Sequence, residues 1–220
     1  MVFFSREQRL SILTGLFVSF LIGMNVLGAK IITLGVFSVS VAFLIVPWSF
    51  LLTDIVSEVY GKTKAREFIY TGVISLIVFL GFMVLFVALP PAARFAEGDS
   101  EYRSIFGTSA RIVLASIVAF LLSQSNDIWS FWKLREITNK KFLWFRSNVS
   151  TVLSMIVDTF VFMFLAFYML TPKFTFWFVI QMIIPYLVFK IIWGVASTPL
   201  VYAGANWLRG GKSIVPKLRK

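Results

Sequence analysis

The stretch FIYTGVISLIVFLGFMVLFVAL, residues 68–89, runs for 22 residues without a single charged side chain. A helix rises about 1.5 Å per residue, so this stretch is long enough to cross the roughly 30 Å hydrocarbon core of a bilayer. Only helices and closed barrels satisfy their backbone hydrogen bonds in lipid. The stretch lacks the polar alternation of barrel strands, so it predicts a membrane-spanning helix.

The remaining sequence repeats this pattern. Of the 220 residues, 59% are hydrophobic and 14% are charged, which excludes an ordinary soluble domain. We therefore predict an all-α integral membrane protein, one domain over residues 1–220, with six transmembrane helices in one bundle. The predicted helices cover about residues 10–29, 36–60, 66–89, 108–135, 149–170 and 176–208. Proline should bend two of these helices, at Pro47 in the second and at Pro185 and Pro199 in the sixth.

The formal net charge of +11 is unevenly distributed. Lys and Arg concentrate in alternate polar segments, at residues 6–9, 62–66, 133–146 and 209–220. Because cytoplasmic loops carry such an excess, we predict that both termini are cytoplasmic and that the protein is a multi-pass protein of the cytoplasmic (inner) membrane. The basic segments are expected to contact the lipid bilayer, and we do not expect nucleic acid as a partner.

The residue inventory excludes several kinds of chemistry. The sequence contains no Cys and no His, so it cannot form a disulfide, a His-based triad or a zinc site of the usual kind. Gly61-Lys62-Thr63 resembles the end of a phosphate-binding loop, but Val56 stands where that loop needs Gly. No Gly-rich motif accompanies the Asp residues, as an aspartyl protease would require. We expect no cofactor, no metal and no enzymatic activity.

Several polar side chains lie inside the apolar stretches. A charged residue near the bilayer centre costs about 2.5 to 3.5 kcal/mol, so such residues usually face a cavity or each other. Three Asp residues fall at a similar depth, and polar residues recur at helical spacing beside two of them. We predict that they gather around one solute cavity. The candidate binding residues are Asp158, Asp54, Asp127, Asn25, Thr151, Ser150, Lys190 and Asn126.

Structural roles are the alternatives for several of these residues. Asp158 and Lys190 could form an ion pair that only fixes the register of two helices. Asp127 could bind a neighbouring loop amide, and Asn25 could be an interfacial anchor. If the residues do form a binding site, carboxylates and aromatic rings suit a small, flat, nitrogen-rich solute, and a buried Asp also suits proton coupling.

Helix one carries Ser11, Gly15, Ser19 and Gly23, a small residue at every fourth position. Such a stripe lets another helix approach closely. We expect it to pack within this protein. A homodimer contact or the docking of a partner subunit are the alternatives.

Taken together, these residues resemble the queuosine precursor transporter family, also called the vitamin uptake transporter family. The resemblance covers about residues 5–205, and its most specific parts are the segment from Asp54 to Arg66 and the Ser150-Thr151 and Asp158-Thr159 pairs. Further matching residues are Asn25, Lys30, Asp127, Arg146 and Lys190. One departure is Met155, where many members carry an amide side chain.

The resemblance implies a membrane carrier that imports a 7-deazaguanine base, a precursor of the tRNA nucleoside queuosine. On that basis we predict a secondary, proton-coupled transporter in which Asp158 and Asp54 contact the base or its amine, and Asp127 supports them or exchanges protons. The alternative is the substrate-binding subunit of an ATP-driven vitamin importer.

Overall fold

The structure is a computed structural model. It describes residues 4–138 and 143–210, apart from the side chains of Lys62, Arg135, residues 143–148 and residues 194–195. The basic residues Lys140, Lys141 and Arg146 and those of residues 211–220, to which the sequence assigns bilayer contacts, therefore lie outside the described side chains. The helices are α1 (Arg6–Leu27), α2 (Val46–Ala88), α3 (Asp99–Ile137), α4 (Leu143–Phe167), α5 (Phe176–Ala196) and α6 (Thr198–Leu208), with strands β1 (Ile31–Leu34) and β2 (Phe37–Ser40) between α1 and α2.

Within the part of the chain that the structure describes, six helical segments are long and apolar enough to cross a membrane, which confirms the predicted fold class. They are Arg6–Leu27, Val41–Gly61, Thr63–Ala88, Ala93–Leu134, Val149–Phe167 and Phe176–Trp193. Two of these segments form the halves of α2, which is broken at Gly61. Gly61 has φ 83° and ψ 174°, a conformation that Gly adopts readily because it lacks a Cβ.

A β-hairpin occupies the region where the sequence predicted the start of helix two. β1 and β2 pair antiparallel, with Leu34 opposite Phe37, so Gly35 and Val36 form a two-residue turn. Gly35 has φ 61°, as expected for the first central residue of a type II′ hairpin turn. The prediction of helix from residue 36 is therefore wrong, and α2 begins at Val46.

The hairpin is fixed between α1 and α5. Val39 and Ser40 are almost fully buried. The Ser40 hydroxyl donates to the Gly28 carbonyl at the end of α1 over 2.6 Å, and the Tyr186 hydroxyl of α5 donates to the Ser40 carbonyl over 3.3 Å. These two bonds join the hairpin to α1 and to α5. The hairpin is therefore held against both helices.

Two predictions that placed proline inside a helix are wrong, because Pro47 and Pro199 lie in the first turns of their helices. Pro47 lies in the first turn of α2, not inside a helix, and there its missing N–H removes no hydrogen bond. The predicted continuous helix over residues 176–208 is interrupted at Ser197, because Pro199 begins the separate helix α6. Pro185 does lie inside α5, as predicted.

The first turns of α3 extend the helix beyond its apolar part. The predicted start at residue 108 is too late, since α3 begins at Asp99. Asp99 accepts a hydrogen bond from Arg103 over 2.5 Å, and carboxylates in a first turn also interact favourably with the helix dipole. Arg111, further along α3, donates to the Leu165 and Tyr168 carbonyls at the end of α4 over 2.8 and 2.5 Å.

Close packing joins α1 to the second half of α2. The rings of Phe17 and Phe68 stack with centroids 4.5 Å apart. A Cβ placed on Gly72 would overlap Leu21 and would lie 2.7 Å from the Phe17 ring. A larger residue at position 72 would therefore have to displace the side chains of Leu21 and Phe17.

The small-residue stripe of α1 does not contribute to this packing. Ser11, Gly15 and Ser19 are exposed, and nothing lies within 4 Å of a Cβ built on Gly15 or Gly23. The expectation that the stripe packs within this protein is therefore wrong. A dimer or a partner subunit on this surface stays a prediction.

We expect Gly72→Val to lower the free energy of unfolding by about 1–3 kcal/mol, because the added methyl groups overpack the contact with Phe17 and Leu21. Gly81→Val is the matched control, since Gly81 lies on the same helix, is exposed and has no neighbour within 4 Å of a Cβ. Thermal unfolding of both variants in detergent provides the measurement. Equal stability of the two variants would contradict the close approach.

Candidate functional site

One cavity of about 450 Å³ lies between the helices, and residues of α1 to α5 line it. Its volume falls within the roughly 300–1,000 Å³ of ordinary small-molecule sites. Most of the wall is apolar, and Phe50, Phe120 and Phe162 contribute aromatic rings. The polar residues come mainly from α3 and α4, which pack directly against each other.

The structure brings five of the eight predicted site residues together around this cavity. These residues are Asn25, Asp127, Thr151, Asp158 and Lys190. They come from α1, α3, α4 and α5, so the cavity gathers polar groups that are as far apart in sequence as residues 25 and 190. This is the arrangement that polar side chains need in a membrane, where facing lipid would leave them unpaired.

The other three predicted residues lie elsewhere. Asp54 lines a separate cavity of about 330 Å³, with Glu58 and Thr198 among its neighbours, so the prediction that three carboxylates share one cavity is wrong for Asp54. Ser150 is buried on α4 without lining the main cavity. Asn126 does not line it, and its buried side-chain nitrogen has no hydrogen-bond partner among the described residues.

Asp158 and Lys190 form an ion pair that joins α4 to α5. The Lys190 Nζ atom lies 2.9 Å from the Asp158 carboxylate and donates to the Thr159 hydroxyl over 2.9 Å. It also lies 5.7 Å from the centroid of the Phe50 ring. The Lys190 side chain is 8% exposed and that of Asp158 is 34% exposed, so the ammonium is buried and the carboxylate borders the cavity.

Asp127 has no comparable partner. Its contact among the described residues is with the Ser154 hydroxyl over 3.5 Å, at the outer limit of a hydrogen bond. The same hydroxyl lies 2.8 Å from the Ser150 carbonyl of its own helix, which is the better acceptor geometry. The Asp127 carboxylate therefore lines the cavity with most of its hydrogen-bonding capacity unused.

The hydroxyl groups of the cavity are also acceptors. Ser49, Thr53, Ser123 and Ser154 each donate their proton to a carbonyl three or four residues earlier in the same helix, over 2.8 to 3.0 Å. A hydroxyl used in this way keeps only oxygen lone pairs for another ligand. The polar part of the wall therefore offers acceptors and suits a solute rich in N–H donors.

Asn25 has a structural role that the sequence did not reveal. It is 1% exposed, donates to the Leu21 carbonyl over 2.7 Å and accepts a hydrogen bond from Ser116 over 2.5 Å. The second bond joins α1 to α3. Asn25 is therefore not an interfacial anchor, and its amide oxygen is occupied before any solute enters.

Gln124 is a cavity residue that sequence reasoning missed. It lies three residues before Asp127 on α3, and its carboxamide makes no hydrogen bond to any other residue in the described part of the chain. A carboxamide can both donate and accept, so it complements the acceptors around it. The signal was present, since residues three apart share a helix face. Phe50 and Phe120 were missed because aromatic residues are common throughout the apolar stretches.

The sequence model of a family described as "Putative vitamin uptake transporter" matches residues 40–204. The chain is 33% identical over 124 residues to a "Probable queuosine precursor transporter" of Bacillus subtilis (strain 168), covering 56% of this chain and 54% of that protein. It is 29% identical over 126 residues to a protein of the same description from Haemophilus influenzae (strain ATCC 51907 / DSM 11121 / KW20 / Rd), covering 56% and 49%.

The aligned part spans about half the length of these two relatives. No solved structure matches the chain. The matched residues 40–204 include the cavity-lining parts of α2 to α5, so the comparison and the geometry concern the same part of the molecule.

We expect Lys190→Met to destabilise the protein by about 2 kcal/mol or more, because it leaves Asp158 without its cation. Fully buried pairs lose about 3–5 kcal/mol in such experiments, and partial hydration of Asp158 should reduce that figure. The double variant Lys190→Met/Asp158→Asn should recover most of the loss. Unfolding in detergent of both single variants, the double variant and the wild type forms a double-mutant cycle. Additive effects of the two substitutions would contradict a direct pair.

Proposed function

Because this chain belongs to the vitamin uptake transporter family, we propose that it carries a queuosine precursor, a 7-deazaguanine base, across the cytoplasmic membrane. The six apolar helices and the family make it a multi-pass membrane protein. The names of the two relatives support the solute class. The observation that carries the proposal is the cavity lined by residues of α1 to α5, which combines aromatic rings with hydrogen-bond acceptors.

The chemistry of the solute fits this wall. A 7-deazaguanine base is flat, so its faces suit the rings of Phe50, Phe120 and Phe162. Its edge carries the N–H groups of a guanidine-like unit beside a carbonyl. Two parallel N–H donors match one carboxylate, and Asp127 is the cavity carboxylate without a cation partner among the described residues.

Gln124 complements Asp127 in this scheme. Its carboxamide, three residues away on the same helix, can donate to the carbonyl of the base and accept from a neighbouring N–H. A base lacking this pattern would leave Asp127 and Gln124 unpaired, and a site built in this way rejects such analogues strongly. Asp158 has a different role in the proposal, since its bond to Lys190 holds α4 against α5 and keeps the cavity walls in register.

Uptake of a radiolabelled 7-deazaguanine base into cells that cannot make the precursor tests the proposal directly. Expression of this chain should restore both accumulation of the label and the queuosine modification of tRNA. Purified protein in proteoliposomes should also take up the label without ATP or added subunits, which separates a carrier from the substrate-binding subunit of an ATP-driven importer. No accumulation in either system would exclude the proposed function. Proton coupling stays a prediction, and a protonophore added to the proteoliposomes would test it.

Gln124→Ala should reduce uptake about tenfold at low solute concentration, since it removes both a donor and an acceptor from the binding wall. Gln181→Ala is the matched control because Gln181 lies in α5, is exposed and does not line the cavity. Initial uptake rates, corrected for the amount of protein in the membrane, provide the comparison. Equal rates for the two variants would remove Gln124 from the binding site.

A further inference from the structure

One face of α3 changes from apolar to polar along its length. Six residues recur there at spacings of three and four, so they form one stripe along the helix. The stripe consists of Ile112, Ala115, Ala119, Ser123, Asn126 and Ser130. Five of the six are buried, and Asn126 is half-buried. The stripe is therefore a packed face whose first half is apolar and whose second half is polar.

The apolar half of the stripe is fixed against α4. Ile112 belongs to the same buried core as Met163 and Phe167 of α4. Beside it, Arg111 donates hydrogen bonds to two carbonyls at the end of α4. Buried apolar area and hydrogen bonds both favour contact over separation, so this half of the contact should stay closed.

The polar half of the stripe contains buried groups that lack a partner. Within residues 4–138 and 143–210, the Asn126 Nδ2 atom and the Ser130 hydroxyl are buried and make no hydrogen bond. Ser130 is 2% exposed. Asp127, which lies between them in sequence, contacts Ser154 of α4 at 3.5 Å. A buried donor without an acceptor has lost its bonds to water and gained none in return, so closure of this half is costly.

We propose that α3 and α4 separate at the end that contains Asn126 and Ser130, with the apolar half of the stripe as the hinge. Separation exposes both side chains to water, which supplies the missing partners. Asp127 and Ser154 line the main cavity beside this half of the contact, so the opening leads into the cavity. The inference rests on the proposed transport function, because a carrier must open its binding site to one side of the membrane at a time.

The contacts near the hairpin are of a different kind. Ser109, near the start of α3, donates to the Val26 carbonyl of α1 over 2.9 Å. Tyr186, which lines the cavity, donates to the Ser40 carbonyl of β2. Polar groups at this end therefore have partners when the end is closed. The described contacts favour opening at the Asn126 and Ser130 end instead.

Site-directed labelling tests the opening, because the sequence contains no Cys and a single introduced Cys reports on its own position. Ser130→Cys and Ala115→Cys, both at buried positions of the stripe, are treated in lipid nanodiscs with a small cationic methanethiosulfonate reagent. We expect Ser130→Cys to react about tenfold faster or more, since the reagent needs water at the thiol. Ser100→Cys, at an exposed position in the first turn of α3, confirms that the reagent is active. Equal rates at positions 130 and 115 would overturn the proposal.

A second set of variants tests the role of the unpaired donors. Ser130→Ala removes a buried hydroxyl without a partner, so it should favour the closed contact and leave thermal stability unchanged or higher. Asn126→Cys should then react about threefold or more slowly in a chain that also carries Ser130→Ala. An unchanged rate would overturn the role of the unpaired donors and indicate a contact that is permanently hydrated.

Ser109→Ala is the matched control for Ser130→Ala. Ser109 is equally buried on α3, but its hydroxyl has the Val26 carbonyl as a partner. The control should lower thermal stability and leave the labelling rate of Asn126→Cys unchanged. An equal slowing by Ser109→Ala would overturn the assignment of the opening to the Asn126 and Ser130 end.

Labelling is measured without solute, so its outcome does not depend on the proposed function. Equal labelling at positions 130 and 115 overturns the opening and leaves the transport function standing. Absence of uptake of any 7-deazaguanine base overturns the transport function instead. If both proposals hold, Ser130→Ala should also lower the initial uptake rate about threefold, because the cavity opens less often.

Discussion

In hydrocarbon, every polar group of the chain needs a partner inside the protein, and this constraint explains most of the structure's polar contacts. Serine and threonine hydroxyls return to carbonyls of their own helices. Arg111 donates to two carbonyls at the end of α4, and Tyr186 to the carbonyl of Ser40 in the hairpin. Lys190 has Asp158. Among the cavity-lining side chains that the structure describes, Gln124 makes no hydrogen bond to another residue, and Asp127 has only the long contact with Ser154.

The constraint also explains which parts of the fold were readable from sequence. Long apolar stretches such as residues 68–89 predict membrane helices reliably, because length and hydrophobicity decide whether a segment can span the bilayer. The hairpin at residues 31–40 escaped this criterion. Its residues are apolar enough to continue a helix, and the informative signal was local, a Gly at position 35 in a segment rich in β-branched residues. The break at Ser197 was missed for a related reason, since Pro199 predicts either a bend or a new first turn.

The site was predictable by residue type more than by position. Intramembrane charges led directly to Asp127, Asp158 and Lys190, all of which line the cavity. The sequence could place Asp54 at a similar depth, but depth does not fix the direction in which a side chain points. The helix rotation that gives Asp54 a separate cavity with Glu58 depends on packing between α2 and α6, where Ile55 lies against Gly204 with no room for a Cβ.

The ion pair of Asp158 with Lys190 and the carboxylate of Asp127 have different consequences, although the sequence alone did not distinguish the two Asp residues. Asp158 and Lys190 form an ion pair that joins α4 to α5. The pair fixes this part of the cavity wall, and its two charges neutralise each other. Among the described residues, Asp127 of α3 is joined to α4 only through the long contact with Ser154, so most of its hydrogen-bonding capacity is unused. In the proposed function, a base bound to Asp127 also contacts the face where α3 and α4 meet. Binding energy is then gained at the boundary between two helices, where a carrier can use it to favour one arrangement of those helices over another.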